Sequence, residues 1–314
     1  MKIVRMRPYC TGAIWGGKKL KARYGKEADF DVAEAWELSG YPGKESRVSG
    51  GELDGMTLGG LIDTFGRGIL GSKAKDGEGF PILIKFIDSA APLSIQVHPD
   101  DKNAKLLGAD GGKTEMWIIC EAEKDAYIYF GVKDNINPET FAEAISDGTI
   151  TQRLNKIYVN PGDTFFIKAG TVHAIGAGIT LCEIQQTSDT TYRLYDYDRV
   201  DAGGKKRELH IEKGKIASCL IPPDHFYEKG ERIGNENILV TCDYFTVSRV
   251  DVNGKSCVTV GDDSFSSFTV TQGSGSIECC EDRLRLKKGD TVFAFAGAGE
   301  LALDGNMTVI RSKL

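Results

Sequence analysis

Gly162-Asp163-Thr164-Phe165-Phe166-Ile167-Lys168-Ala169-Gly170-Thr171-Val172-His173 aligns without a gap to Gly289-Asp290-Thr291-Val292-Phe293-Ala294-Phe295-Ala296-Gly297-Ala298-Gly299-Glu300. Both stretches carry Gly-Asp-Thr, then an apolar run, then Ala-Gly. Gly-Asp is turn chemistry, and a short apolar run closed by a second turn reads as a buried strand. The same unit written twice predicts a mainly β chain built as two β-barrels. Where the first copy ends in His173 the second has Glu300, and no histidine follows His225. The first barrel is therefore expected to hold a metal site and the second to lack one. The expected division is a metal-binding domain over residues 1–230 and a degenerate barrel over 231–314.

Outward from this peptide, short β-type runs dominate: Phe80 to Phe86, Leu93 to Val97, Glu115 to Ile119, Tyr127 to Phe130, Thr164 to Ile167 and Thr180 to Ile184. Gly, Asp and Pro turns separate them, as in sandwiches and barrels. A few short helices are expected. Asn137-Pro138-Glu139 opens one with an N-cap and a proline at its first position, and Gly148 stops it. Leu58 to Leu70 has near-helical spacing, and Lys205 to Leu220 reads as a helix or a linker.

The 314 residues are 41% apolar with a net charge of −6, enough for a sizeable core and poorly suited to nucleic acid or anionic lipid. No apolar run approaches the ~18 residues of a membrane span. Lys2, Arg5 and Arg7 are not followed by an apolar signal core, so a cytoplasmic protein is expected. The eight cysteines form no C-x-x-C, and Cys120, Cys182 and Cys257 fall in apolar runs as buried free thiols. Ser312-Lys313-Leu314 matches a peroxisomal address and is read as coincidence. Gly108 to Thr114 fails the P-loop spacing, since its first glycine falls on Leu107. The oligomeric state is left open.

Two of only four histidines lie in the most informative segments. Gln96 and His98 are two apart, so on a strand they leave the same face. Glu115 and His173 lie in or beside two further strand-like runs. Gln, His, Glu and His converging in a barrel give an oxygen and nitrogen donor set that suits zinc, and also manganese, iron or nickel. One carboxylate and three neutral donors would leave a zinc site at net +1 and electrophilic.

The order Q-x-H, K-x-E and then G-D-x(6)-A-G-T-x-H-A-I resembles the type I mannose-6-phosphate isomerases of the cupin superfamily, in the short bacterial form. Ile14-Trp15-Gly16-Gly17, Glu34 to Ser39, Lys85 to Asp88, Pro92 to Pro99 and Glu183 to Asp196 carry the likeness further. Lys168 and Ala177 depart from the generic cupin pattern without touching a ligand. The resemblance implies two cupin-type barrels (jelly rolls) and one zinc ion per chain on Gln96, His98, Glu115 and His173. It also implies a phosphosugar substrate, mannose 6-phosphate and fructose 6-phosphate exchanging through a cis-enediolate. Arg193 would be the catalytic arginine, Lys113 and Glu183 the candidates for proton transfer, and Ser94 and Lys85 the phosphate contacts. A surface ion pair of Arg193 with Asp196 or Asp198 is the plain alternative for that residue. The rival functions are a metal-bound isomerase or epimerase of another phosphosugar, and a non-catalytic sugar-phosphate-binding protein. Trp15 and Trp36 are expected to serve packing.

Overall fold

The computed structural model describes residues 2–75, 77–200, 203–280 and 282–314. The two copies of the opening peptide fold alike. Gly162 and Gly289 take left-handed φ values of 97° and 94°, where a side chain would be strained. Asp163 accepts from Asn160 N at 2.7 Å and Asp290 from Lys287 N at 3.0 Å, closing equivalent turns. Strands Thr164–Ile167 and Thr291–Ala294 follow at matching positions. The repeat then ends: the first copy enters the short strand His173–Ile175, the second the fifteen-residue strand Gly299–Lys313.

The strands form three sheets, and the expected closed barrels are replaced by open sheets packed on one another. A six-stranded sheet runs Thr164–Ile167, Glu115–Ala122, Ile179–Gln186, Ile82–Ser89, Glu34–Leu38, Tyr9–Thr11. A five-stranded sheet runs Tyr192–Tyr195, Ile95–Val97, His173–Ile175, Tyr127–Val132, Leu154–Tyr158. A nine-stranded sheet contains the strands after residue 230 together with Ile3–Arg7 and Arg47–Val48; Ile3–Arg7 pairs with Thr291–Ala294.

Both faces of the six-stranded sheet are covered. Trp117, Phe165, Ile119 and Leu181 pack toward Phe130, Ile128 and Ile175 of the five-stranded sheet. Phe86, Ile84, Met116, Cys182 and Ile184 pack toward Val4, Phe293 and Ile310 of the nine-stranded one. Burial on both faces explains why Ile82–Ser89 reads as an unbroken buried run. Lys26 joins the halves, pairing with the fully buried Glu37 at 2.6 Å and donating to Gly289 O at 2.5 Å.

Helix Pro138–Ser146 starts as expected, Asn137 accepting from Thr140 N at 2.8 Å. The Leu58 to Leu70 stretch divides at Gly66 into helix Leu58–Phe65 and a 3-10 turn Arg67–Leu70. Lys205 to Leu220 contains helix Ile211–Ala217. Helix Asp101–Leu107 was not expected; its seven residues are too few to show a period, although Asp100 caps it by accepting from Asn103 N at 2.7 Å. All eight cysteines are free, and Cys257 is exposed, not buried as expected, on an outward position of its strand. Ser312 and Lys313 lie in the ladder of the last strand, and Ser312 is buried. Among the described residues no helix is long and apolar enough to cross a membrane.

Candidate active site between two sheets

Sheet register builds the site. Across the six-stranded sheet, Trp36 lies opposite Lys85, Lys85 opposite Glu183, Glu183 opposite Trp117, and Trp117 opposite Phe165. Gln185 lies opposite Glu115 in the neighbouring row. The five-stranded sheet supplies the facing row: Arg193 opposite Gln96, Gln96 opposite His173, His173 opposite Phe130. Strand alternation sends each row to one face, so the two rows meet between the sheets.

His98, Glu115 and His173 place one ligand-type atom each within 4.8 Å of one another, and all three are buried. Glu115 Oε1 is 3.3 Å from His98 Nε2, and Oε2 is 3.8 Å from His173 Nε2. Each imidazole is oriented from behind: Nδ1 of His98 lies 2.8 Å from Thr190 O and Nδ1 of His173 2.8 Å from Thr171 O. A proton on Nδ1 leaves the Nε2 lone pairs facing Glu115. Burial, with Lys113 next, pulls His98 down, and burial takes His173 to about 3. Both rings are neutral at neutral pH. Burial works to raise the Glu115 carboxyl, but the interactions that oppose it, the Lys113 ammonium foremost, hold it well below the usual range. Gln96 Nε2 stands 3.4 Å from His173 Nε2, and a half-turn of its amide presents Oε1 to the same point.

Lys113 is buried, with Nζ in contact with Glu115 Oε1 and 3.2 Å from His98 Nε2. Glu183 takes a hydrogen bond from Trp117 Nε1 at 2.8 Å through Oε2, while its buried Oε1 has none. Burial, then the charge on Glu115, raises Glu183 to about 7 against the pull of Lys113 and Lys85. Lys85 stands 3.6 Å from both Glu34 and Glu183 and 4.5 Å from the centre of the Trp36 ring. Ser94 Oγ is 3.5 Å from Gln96 Oε1.

A cavity of about 310 Å³ opens beside the cluster, lined by Ser94, Gln96, Lys85, Lys113, Glu183 and Arg193. Every residue expected in the site is therefore in the cluster or on this wall. Arg193 donates NH1 to Glu208 O at 2.9 Å, and its buried Nε has no partner. Its alternative partners are engaged elsewhere: Asp196 with Arg199 and Arg207, Asp198 with Lys206.

Glu34, Trp15, Asp189, Thr191 and Arg207 also line the cavity and were not expected there. Glu34 and Trp36 form an i, i+2 pair on a strand, a signal present in the sequence but readable as packing. Arg207 offers no local signal; only the fold returns it to the site. Asp110, in the stretch that failed as a P-loop, gathers the 188–190 loop. It accepts from Ser188 Oγ at 2.9 Å, Asp189 N at 3.1 Å, Tyr41 OH at 3.0 Å and Thr190 Oγ1. Thr190 in turn orients His98.

The fold and the site define a mainly β, cupin-type enzyme with a polar cavity beside a His-Glu-His cluster. Family models agree: residues 3–139 match the phosphomannose isomerase type I catalytic domain, and 235–314 the mannose-6-phosphate isomerase cupin domain. The chain is 36% identical over 314 residues to mannose-6-phosphate isomerase ManA of Bacillus subtilis (strain 168), covering 98% of each. It also resembles the crystal structure of the mannose 6-phosphate isomerase from Bacillus subtilis, with a TM-score of 0.90, 32% identity and full coverage of both chains. A mannose 6-phosphate isomerase solved with zinc and yttrium shares the fold at 18% identity, TM-score 0.80 and 99% coverage of each chain. This chain belongs to the type I mannose-6-phosphate isomerase family.

Proposed function

We propose that the enzyme interconverts mannose 6-phosphate and fructose 6-phosphate through a cis-enediolate, with one zinc ion per chain held by Gln96, His98, Glu115 and His173. The observation that carries this reading is the convergence of two rear-anchored neutral imidazoles on a carboxylate whose Oε2 is buried without a hydrogen bond. An unsatisfied buried acceptor costs about 1–3 kcal/mol, which a cation at this point would offset. The donor set of nitrogens and oxygens suits zinc. When bound, the ion supplies Lewis acidity toward the oxygens on C1 and C2 of the sugar.

The chain's own residues do the rest. Glu183, whose Oε1 accepts no hydrogen bond and whose pKa is raised to about 7, takes the proton from C2 and returns it to C1. Lys113 serves the proton exchange between the sugar oxygens. Arg193 balances the negative charge that develops on the enediolate. Ser94 contacts substrate from the cavity wall, and Lys85, matched by two carboxylates, holds Glu183 in place. All eight thiols are free, which suits a reducing cytoplasm.

Purified protein is expected to form fructose 6-phosphate from mannose 6-phosphate, to lose that activity on chelation and to regain it with zinc. Full activity in verified metal-free protein would sink the reading; inactivity of zinc-loaded protein would point to another phosphosugar or to a binding protein.

A second expected result concerns Asp110. Asp110→Ala frees the loop behind His98 and should weaken zinc binding about 10- to 100-fold, the usual effect of losing a group that orients a ligand. Competition with a chromophoric chelator reads this, and an unchanged affinity would remove Asp110 from the site's support. Burial works to raise the Asp110 carboxyl, but the hydrogen bonds from Thr190, Asp189 N, Ser188 and Tyr41 outweigh it and lower it. A carboxyl lowered in the folded state stabilises above its unfolded value, ~3.9, and its contribution is lost as pH falls through the lower folded value. The loop should therefore hold at neutral pH and loosen only below about pH 4.

A further inference from the structure

The two ends of the cavity differ in charge. At the end nearest the cluster each lysine already faces carboxylates: Lys113 touches Glu115, and Lys85 stands between Glu34 and Glu183. A phosphate dianion placed against Lys85 would meet both of its carboxylates. At the other end, Arg193, Arg199 and Arg207 gather around one buried carboxylate, Asp196. Arg207 forks onto it through Nε at 2.7 Å and NH2 at 2.6 Å, and Arg199 adds NH2 at 2.5 Å. The remaining acids nearby do not restore the balance, because Glu208 is exposed to solvent and Asp189 pairs with Lys44 at 2.5 Å.

Of the three arginines, Arg193 and Arg207 line the cavity, while Arg199 turns NH1 to Pro92 O at 2.5 Å. The NH1 of Arg207 has no partner among the described residues. Burial and then the charge of Arg207 lower the basicity of Arg193, as expected where positive charge exceeds negative. Arg193 sits one strand from Gln96 and two from His173, about 10 Å at the usual strand spacing.

We propose that Arg207, held in its fork by Asp196, recognises the phosphate group of the substrate, leaving Arg193 to face the reacting oxygens. The inference rests on the sugar-phosphate reaction proposed above. A planar guanidinium fixed by a bidentate carboxylate meets phosphate oxygens without having to be ordered on binding.

The test compares wild type with Arg207→Ala and the gentler Arg207→Lys, their folding checked by thermal melts. For Arg207→Ala the preference for mannose 6-phosphate over free mannose, taken as a ratio of kcat/KM, should fall about 10- to 100-fold. The loss should lie mainly in KM, and inhibition by inorganic phosphate should weaken in parallel. Arg207→Lys should fall between the two. Calorimetric binding of inorganic phosphate reports on Arg207 even if no form isomerises the sugar, which separates this inference from the proposed reaction. Unchanged phosphate affinity and an unchanged preference in folded Arg207→Ala would overturn it.

Discussion

Arg193→Ala should keep its zinc and lose about 10²–10³-fold in kcat, the range found when one preorganised donor to a developing oxyanion is removed. The separation of the two effects follows from the register. The Arg193 backbone pairs with Gln96, but its guanidinium reaches the cavity and the Glu208 carbonyl, not the His98, Glu115 and His173 atoms. Its side chain can be shortened without touching a ligand or a ring anchor. Elemental analysis alongside steady-state kinetics checks this. Loss of zinc in the variant, or a kcat close to wild type, would remove Arg193 from the chemistry.

His98→Ala should instead lose metal and turnover together. His98 contributes one of three converging atoms, and its removal leaves Glu115 facing a single imidazole and the Lys113 ammonium. The loss of zinc affinity should exceed the roughly 10- to 100-fold cost of losing an outer partner. Equilibrium dialysis with a zinc buffer measures it. A variant that binds zinc as tightly as wild type would show that the ion sits elsewhere, and Arg193→Ala is the paired control.

The residues proposed as ligands could be picked out because each lies in or beside a short strand-like segment with its own punctuation. Gln96 and His98 announce a shared face by spacing alone, and the Gly-Asp turn before Thr164 fixes where the strand leading to His173 begins. The mainly β class was legible for the same reason, since it rests on local turns and runs. Closure was not: whether strands join into a barrel depends on the pairing of their edges, and here the pairing gives three open sheets. Arg207 and Asp110 were also out of reach, because each acts on residues distant in sequence, Asp196 and the 188–190 loop. Cys257 was misread because an apolar run does not say which of its residues faces outward in a sheet with one solvated side.

The rows Trp36-Lys85-Glu183-Trp117 and Arg193-Gln96-His173 have a consequence for quality control. Slipping Ile179–Gln186 by one residue would turn Glu183 away from the cavity and send Cys182 and Ile184 to that face. The same slip would strip the packing against the nine-stranded sheet. Chemistry and cohesion thus fail on one error, so a misthreaded molecule is silent and short-lived together, and turnover per molecule serves as a gauge of correct threading.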